Sequence, residues 1–554
     1  MTTAPESHPP AASRDLEADR TILRAIRAIA VAGDMARAAA LADEALNRGL
    51  EHPFLLNLSA VGLESAGRFH DALARLQRAA ELAPLDTAVL NALGMCLQRL
   101  DRPSEALQRF DAVLAIDRNA AFAHANRGAA LLAQGLLSQA EAAFQDALAL
   151  DANLLAATAG LATIATRRGV HGVAKAMAQK VLQKAPGFPE AVMSMAAAEL
   201  AAGSYAAAED LLASLLSSRG LSHLERANAT TLMGDVLDRQ NHTTEAFRAY
   251  SAANELRRGV FADRFASGPS ALEYVESMNR YFKAARPDEW APSKAAGGAP
   301  SGAHQHVFLI GFPCSGATLL EVVLEGQPQV QTLEEQECLI DGVRSFMKDP
   351  ADLERLRLAD EGELAPLRDA YWKCARDQGA TIAGRVFVDK YPLNTLKLPL
   401  IARLFPQAKI LIARRDPRDV VLSCFRQRFQ MSHPMFEMLT VKGAAVFYDA
   451  VMRLANRLET LLDLQTLIVR HESLVENLES EARSVCAFLG LTWAPAMADL
   501  SGRARSRTVA TPGSAQLVRG LRTDGLGEWR RYREQLQPVL GVLAPWVERF
   551  AYSR

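Results

Sequence analysis

The chain has 554 residues, with 62 Lys+Arg against 63 Asp+Glu, 49% hydrophobic and 23% charged residues. That length suggests about three or four domains, or fewer where one part is a repeat array, and the composition excludes a mostly disordered chain. A net charge of −1 gives no overall attraction to nucleic acid, so any anion site has to come from local clustering.

Residues 1–18 open with MTTAPESHPPAASRD, polar and proline-containing without the apolar core of a secretory signal, and are expected to be disordered. No stretch reaches the roughly 18 uninterrupted apolar residues of a membrane span. A soluble, cytoplasmic protein without a membrane or nucleic-acid partner is therefore expected. Six cysteines (Cys96, Cys314, Cys338, Cys374, Cys424, Cys486) stand far apart with no C-x-x-C pair, which predicts neither a disulfide framework nor a zinc site.

Self-similarity dominates the next 240 or so positions. Ala38, Ala72, Ala106, Ala140, Ala174 and Ala208 follow one another at intervals of 34 residues, and five residues before each stands Gly33, Gly67, Asp101, Gly135, Gly169 or Gly203. Glycine or aspartate suits a tight turn, and alanine lets two helices press together. Gly94 and Gly128 offer small residues on a facing helix, with Leu76, Phe110 and Phe144 in the partner slot. Pro84 and Pro186 fall where a helix must stop. After four extra residues the pattern returns with Gly234, Ala246, Tyr250 and Ala253. Period and residue order resemble the tetratricopeptide repeat family, which implies an α-solenoid of seven helix–turn–helix units over 19–260. The resemblance also implies a protein or peptide partner on the concave face; a purely structural array is the alternative.

Residues 261–303 read as a short amphipathic helix followed by PDEWAPSKAAGGAPSGAHQ, a Pro/Gly/Ala/Ser linker. A new domain, 304–554, opens with a short β-rich run, HVFLIG, then Phe312-Pro313-Cys314-Ser315-Gly316-Ala317-Thr318, then LLEVVLEG at helical spacing. Strand, glycine turn and helix aim backbone N–H groups at an anion, although a turn of this kind also serves packing alone. Gly311 and Gly316 have the spacing of a nucleoside-triphosphatase loop, but Ala317 stands where its lysine is needed, which disfavours ATP hydrolysis.

Lys409 to Ser423, KILIARRDPRDVVLS, places Arg414 and Arg415 at the carboxyl end of a buried-type strand, where open α/β sheets bind ligands. Arg415 offers two parallel hydrogen bonds to a phosphate, and Ser423 stands one to two helical turns on. The alternative is a solvated cluster in which Asp416 and Asp419 pair with Arg415 and Arg418. Between these motifs RVFVDKYPLN carries Asp389 and Lys390 at another strand end, and TLIVRHESLVENLESEARSVCAFLGL reads as strand, turn and helix. Such alternation predicts a three-layer α/β domain with a parallel sheet.

Taken in order, GFPCSGATLLE, VDKYPLN, ILIARRDPRDVVLS, VRHESL, QLVRGL and GEWRRY resemble the sulfotransferases that use 3′-phosphoadenosine 5′-phosphosulfate. The likeness is nearest to bacterial tetratricopeptide-repeat sulfotransferases and more distant to the tyrosylprotein sulfotransferases. It covers about residues 304–550 and implies a P-loop-like sulfotransferase domain acting on a hydroxyl acceptor, a protein recruited by the array among the possibilities, without a metal. By resemblance the turn Pro313–Thr318 cradles the 5′-phosphosulfate, through backbone donors and the Ser315 and Thr318 hydroxyls. Arg415 and Ser423 match the pair for the 3′-phosphate, Glu335 the catalytic base, Lys390 the cation steadying the leaving oxygen or sulfuryl group, and Ser514 a serine near the donor. The chemistry suits these residue types: sulfuryl transfer is an in-line displacement, so the protein positions the donor, supplies cations and takes up a proton. His304 and His306, at the linker–strand junction, have no acidic or cysteine companions for a metal.

Four positions depart from the pattern. Cys314 replaces an arginine and Ala317 a threonine in the loop, His471 occupies the place of a tyrosine in the donor-site strand motif, and Glu528 stands where a cation is usual. Eight arginines between 501 and 533 (Arg503, Arg505, Arg507, Arg519, Arg522, Arg530, Arg531 and Arg533) offer a compensating positive patch. Three readings follow: an active sulfotransferase, a degenerate domain carried by a scaffold, and another α/β phosphate-binding enzyme, the last disfavoured by the missing lysine.

Overall fold

The computed structural model describes residues 16–290, 302–506, 517, 520–521, 523 and 525–553. Ser514, Arg507, Arg519 and Arg522 lie outside the described residues, as do 1–15 and most of the Pro/Gly/Ala/Ser stretch. The chain divides into two compact units, residues 1–160 and 161–554.

The first unit holds eight helices in hairpins: Leu16–Val31 with Met35–Asn47, Pro53–Ser65 with Phe69–Leu82, Thr87–Arg99 with Pro103–Ile116, and Ala121–Ala133 with Leu137–Leu150. The 34-residue period is visible in the packing. Ala38, Ala72, Ala106 and Ala140 are all wholly buried at the hairpin contacts. Asp101, at the turn position that is glycine in neighbouring units, takes a left-handed φ of +51°. A Cβ on Gly94 would lie 2.5 Å from the Phe110 ring, so the missing side chain is what lets the ring seat between helices. Gly128 and Phe144 repeat the arrangement one unit later, at 2.8 Å.

The second unit begins with more hairpins, among them Pro189–Ala202 with Tyr205–Ser217 and His223–Arg239 with Thr243–Phe265. These hairpins repeat the helix–turn–helix form of the first unit. The last helix runs 23 residues because its final turns have a partner: Phe261 packs on Met431 and Leu439, and the Phe265 ring lies 5.1 Å from that of Phe436. Asn254, buried on the same helix, donates to the Phe425 carbonyl at 2.8 Å. A capping box of Ser270 and Glu273 starts the expected amphipathic helix, Ala271–Ala284, which buries Val275, Met278 and Phe282.

Five strands form the sheet: β1 (Gln305–Ile310), β2 (Val330–Glu334), β3 (Val386–Lys390), β4 (Lys409–Arg414) and β5 (Gln465–Arg470). All pairings are parallel and the order is β2-β3-β1-β4-β5. Helices cover both faces. Phe308, Ile310, Phe387 and Ile412 point into one core; Val307, Leu309, Val388 and Leu411 point into the other. This is the three-layer arrangement that parallel strands require. β2, VQTLE, is an edge strand with only Val330 and Leu333 buried, too short and polar to announce itself in the sequence.

The cysteine spacing misled in one respect. Cys338 and Cys374 are joined by a disulfide with their Cα atoms 5.5 Å apart. Cys338 lies just after β2 and Cys374 on the helix Glu361–Asp377, which the fold lays alongside; a separation of 36 residues carries no motif that foretells it. Bridges of this kind persist in oxidising compartments. Among the described residues, no helix is long and apolar enough to cross a membrane.

The glycine–ring contact yields a test. Gly94→Val forces branched carbon into the Phe110 ring and is expected to destabilise the repeat helices by about 1–3 kcal/mol, with Phe110→Leu in that background restoring part of the loss. Urea unfolding followed by far-UV circular dichroism measures both.

Candidate functional site

The loop between β1 and the helix Ala317–Leu324 is held from below. Gly311 donates its N–H to the Pro392 carbonyl and to Thr395 Oγ1, each at 3.1 Å, and the Thr395 hydroxyl returns a bond to the Gly311 carbonyl at 2.6 Å. A Cβ on Gly311 would come within 2.7 Å of the Ala413 carbonyl, so loop and β4 approach as closely as a glycine permits. The Ser315 N–H closes a turn on Phe312, and the Pro313 carbonyl accepts from the Cys424 thiol at 3.3 Å. Cys314 has φ +64°, a left-handed conformation that costs a side-chain-bearing residue about 1–2 kcal/mol. Gly316, φ +98°, faces His471 so tightly that a Cβ would sit 2.5 Å from the imidazole Nδ1. Ala317 and Thr318 form the first turn of the helix beyond. Ser315 Oγ and His471 Nδ1 are both buried without a hydrogen-bond partner among the described residues. Burial first, and then the neighbouring Arg415, depress the His471 imidazole to about 3, so the ring is neutral and adds no cation to the loop.

Arg415 reaches across from the end of β4. Its Nη1 donates to the Cys314 carbonyl and to Ser423 Oγ, both at 3.2 Å, and Nη2 donates to the Gly525 carbonyl at 2.8 Å, while Nε is buried without a partner among the described residues. The two aspartates of RRDPRD do not take it. Asp416 pairs with Arg418 at 2.7 Å, and Asp419 accepts from the N–H groups of Gly527 and Trp529 at 2.8 Å each. The salt-bridge alternative thus holds for Arg418 alone. Asp419 instead fixes the turn that presents Gly525 to Arg415, and the Trp529 ring stacks 3.8 Å from the Arg418 guanidinium.

A second cluster lies at the ends of β2 and β3. Lys390 is wholly buried, with its ammonium 2.6 Å from Glu335 Oε1, 3.4 Å from Glu321 Oε2 and 3.9 Å from Glu334 Oε1. Burial alone would favour the neutral amine, but the carboxylates Glu321, Glu335 and Glu334 outweigh it and hold the lysine firmly protonated. Glu335 is 40% exposed and has φ +45°, with its N–H bonded to the Lys390 carbonyl at 2.8 Å. A glutamate in the left-handed region persists only where its surroundings impose it. Asp389, next to the lysine, points to the opposite face. It accepts from the Tyr371 hydroxyl at 2.8 Å, Tyr371 in turn contacts His306 Nε2 at 2.8 Å, and burial raises the Asp389 carboxyl to about 7.

The structure therefore brings the loop, Arg415, Ser423 and His471 together at the ends of β1 and β4, and sets Lys390 with Glu335 at the ends of β2 and β3. Glu321, Asp419, Thr395 and the Gly525 carbonyl were not foreseen; Glu321, midway along an apolar helix stretch, was the one with a visible signal. Glu528 is not a bare anion. Arg426 grips both its oxygens, at 2.9 and 2.6 Å, and Arg531 adds a third contact at 3.0 Å. Of the described arginines of 501–533, Arg503 donates to the carbonyls of Val322, Ala496 and Met497 and Arg531 also binds Asp238, while Arg530 and Arg533 are exposed.

Residues 306–495 match the Sulfotransferase family and residues 63–126 the Tetratricopeptide repeat. An "Uncharacterized protein" of Aquifex aeolicus is 25% identical over 346 residues, 60% of this chain and 43% of that protein. "Protein-tyrosine sulfotransferase A" of Caenorhabditis elegans is 24% identical over 45% of this chain and 67% of its own length. "Protein-tyrosine sulfotransferase 1" of Danio rerio is 23% identical over 45% of this chain and 72% of its own. The alignment to the Aquifex protein spans less than half of that relative's length.

The backbone at Cys314 makes one outcome checkable. Cys314→Gly removes the left-handed penalty and is expected to raise stability by about 1 kcal/mol, read as a higher denaturation midpoint in urea. An unchanged or lower midpoint would mean that the Cys314 side chain contributes more than its backbone costs.

Proposed function

We propose that this chain, with its sulfotransferase-family domain and tetratricopeptide repeats, transfers a sulfuryl group from 3′-phosphoadenosine 5′-phosphosulfate to a hydroxyl acceptor. The observation that carries this reading is that Arg415 donates both to Ser423, 3.2 Å away, and to the Cys314 carbonyl of the β1 loop. A guanidinium and a hydroxyl side by side suit a phosphate, and exchanging the carbonyls of Cys314 and Gly525 for phosphate oxygens leaves Arg415 better matched. The buried, unpartnered Ser315 hydroxyl and Arg415 Nε fit a ligand that completes the site.

In this reading the donor supplies an activated sulfur. The acceptor oxygen forms a bond to that sulfur as the bond to the 5′-phosphate oxygen breaks, and adenosine 3′,5′-bisphosphate leaves with the electron pair. Glu335, half-exposed at the end of β2, takes the acceptor proton. Lys390 moves its ammonium from Glu335 toward the charge developing on the leaving oxygen, so one displacement frees the base and supplies the cation. Arg415 and Ser423 hold the 3′-phosphate, and the loop N–H groups with Ser315 and Thr318 hold the 5′ end. His471 buttresses Gly316 as a neutral ring. No residue here demands a metal, because sulfuryl oxygens carry less charge than those of a terminal phosphate. The acceptor is a protein or peptide brought by the repeats, in keeping with the two matched families.

Cys314 favours the second reading, a domain that has lost its donor, because an uncharged side chain there leaves the loop without its own cation. Titration calorimetry with adenosine 3′,5′-bisphosphate separates the two: binding at micromolar to sub-millimolar ligand supports the enzyme, and none at millimolar supports the scaffold. Arg415→Ala is expected to weaken that binding by about 10- to 100-fold, the loss of charge-assisted hydrogen bonds. Glu335→Gln is expected to leave binding within about twofold while lowering turnover by about 10²–10⁴, measured as labelled sulfate transferred to acceptors in cell extract. Unaltered turnover in the glutamine variant would remove Glu335 from the base role.

A further inference from the structure

Lys390 and Glu335 account for two members of the buried cluster; Glu321 is the third, and neither the loop motif nor the proposed chemistry assigns it a task. It sits one turn into the helix Ala317–Leu324, flanked in sequence by Leu319, Leu320, Val322 and Val323, and is wholly buried. A glutamate so placed is expensive to keep ionised unless a cation faces it. Its carboxylate lies 3.4 Å from the Lys390 ammonium, on the inner side, opposite the half-exposed Glu335.

We propose that Glu321 is the positioning residue for Lys390: it tethers the ammonium from inside the protein, so that the lysine remains charged and aimed at the site when its outer contact with Glu335 is released. This assignment rests on the sulfuryl-transfer reading for its purpose, but not for its electrostatics. When the lysine leaves Glu335, two carboxylates stay with it. Glu334, at 3.9 Å and nearly buried, is the more distant, so Glu321 carries the larger share. Beyond these three, Asp389 is coupled by charge to Glu321, Glu325 one turn on along the helix accepts from Thr332, and Tyr391, Glu337 and Lys397 lie around the cluster, Glu337 and Lys397 pairing with each other. The helix that carries Glu321 is the one that follows the β1 loop. The loop and the lysine are therefore joined through a single rigid element, which fixes the position of the cation relative to whatever the loop holds.

The sign of the expected effect follows from burial. In the native protein the carboxylates keep the lysine protonated above its ordinary range; with Glu321 neutralised, burial pulls its titration downward. The test follows the Lys390 side chain by ¹³Cε resonance in lysine-labelled protein, identified by its loss in Lys390→Arg. The native resonance is expected to stay at its charged position up to about pH 10, and Glu321→Gln to bring the transition down by at least about one pH unit. Glu321→Asp, one methylene shorter, is expected to restore the native titration in large part. Should the glutamine variant lose its cooperative melt, Glu321→Ala, which likewise removes the carboxylate, is titrated in its place with the same downward shift expected. Superimposable titrations of native and variant protein overturn the proposal. Calorimetry with adenosine 3′,5′-bisphosphate, run alongside, tests the donor reading separately: absence of binding to the native protein refutes that reading, while the lysine titration still decides the role of Glu321.

Discussion

A buried ammonium with three carboxylates within 3.9 Å is the constraint around which the sulfotransferase-family domain is organised. Lys390 cannot shed its proton without leaving buried anions, and the glutamates cannot be buried without the lysine. The cluster therefore fixes three separate elements against one another: the helix after the β1 loop, the end of β2 and the end of β3. The edge strand β2 has few apolar contacts of its own, and the ion pairs at its carboxyl end, with the Glu335 N–H bonded to the Lys390 carbonyl, hold its register. The left-handed backbone of Glu335 is the cost of that closure, imposed at the most exposed member of the cluster.

Much of the architecture was legible because it is periodic. A 34-residue interval of alanines, with glycine or aspartate five positions earlier, can arise only where identical hairpins stack, and Gly94 facing Phe110 is that pattern in atomic form. The parallel sheet was legible from strand–helix alternation, and Arg415 with Ser423 from an eight-residue spacing. What escaped the sequence shares a single cause. Glu321 looks like one polar residue in an apolar helix until Lys390 arrives from a strand 69 positions away; Asp419 looks like half of a surface salt bridge until the turn at 525–529 folds onto it. Cys338 and Cys374 likewise meet only through the fold. Contacts between distant segments leave no local mark, whereas repeats and strand ends do.

The departures at the donor loop read differently in three dimensions. Glu528, an apparent anion in a cationic site, is neutralised by Arg426 and Arg531, so the net local charge is less altered than the substitution suggests. His471 fills space beside Gly316 as a neutral ring. Cys314 remains a true loss of positive charge, and nothing among the described residues replaces it directly; Arg415, turned toward the Cys314 carbonyl, is the nearest substitute.

The last repeat hairpin is bound to the sulfotransferase-family domain by polar contacts as well as rings. Asn254 donates to Phe425, and Asp238 accepts from Tyr532 and Arg531 at 2.5 and 2.9 Å. Glu528 bonds to the same Arg531, and the Gly525 carbonyl three residues earlier touches Arg415. In evolutionary terms this hairpin is no longer an interchangeable module: its gain or loss would uncouple side chains from the turn that meets Arg415. Lengthening or shortening of the array is cheaper toward its amino-terminal end, so variation in repeat number among kindred proteins should accumulate there while the last hairpin stays constant in length.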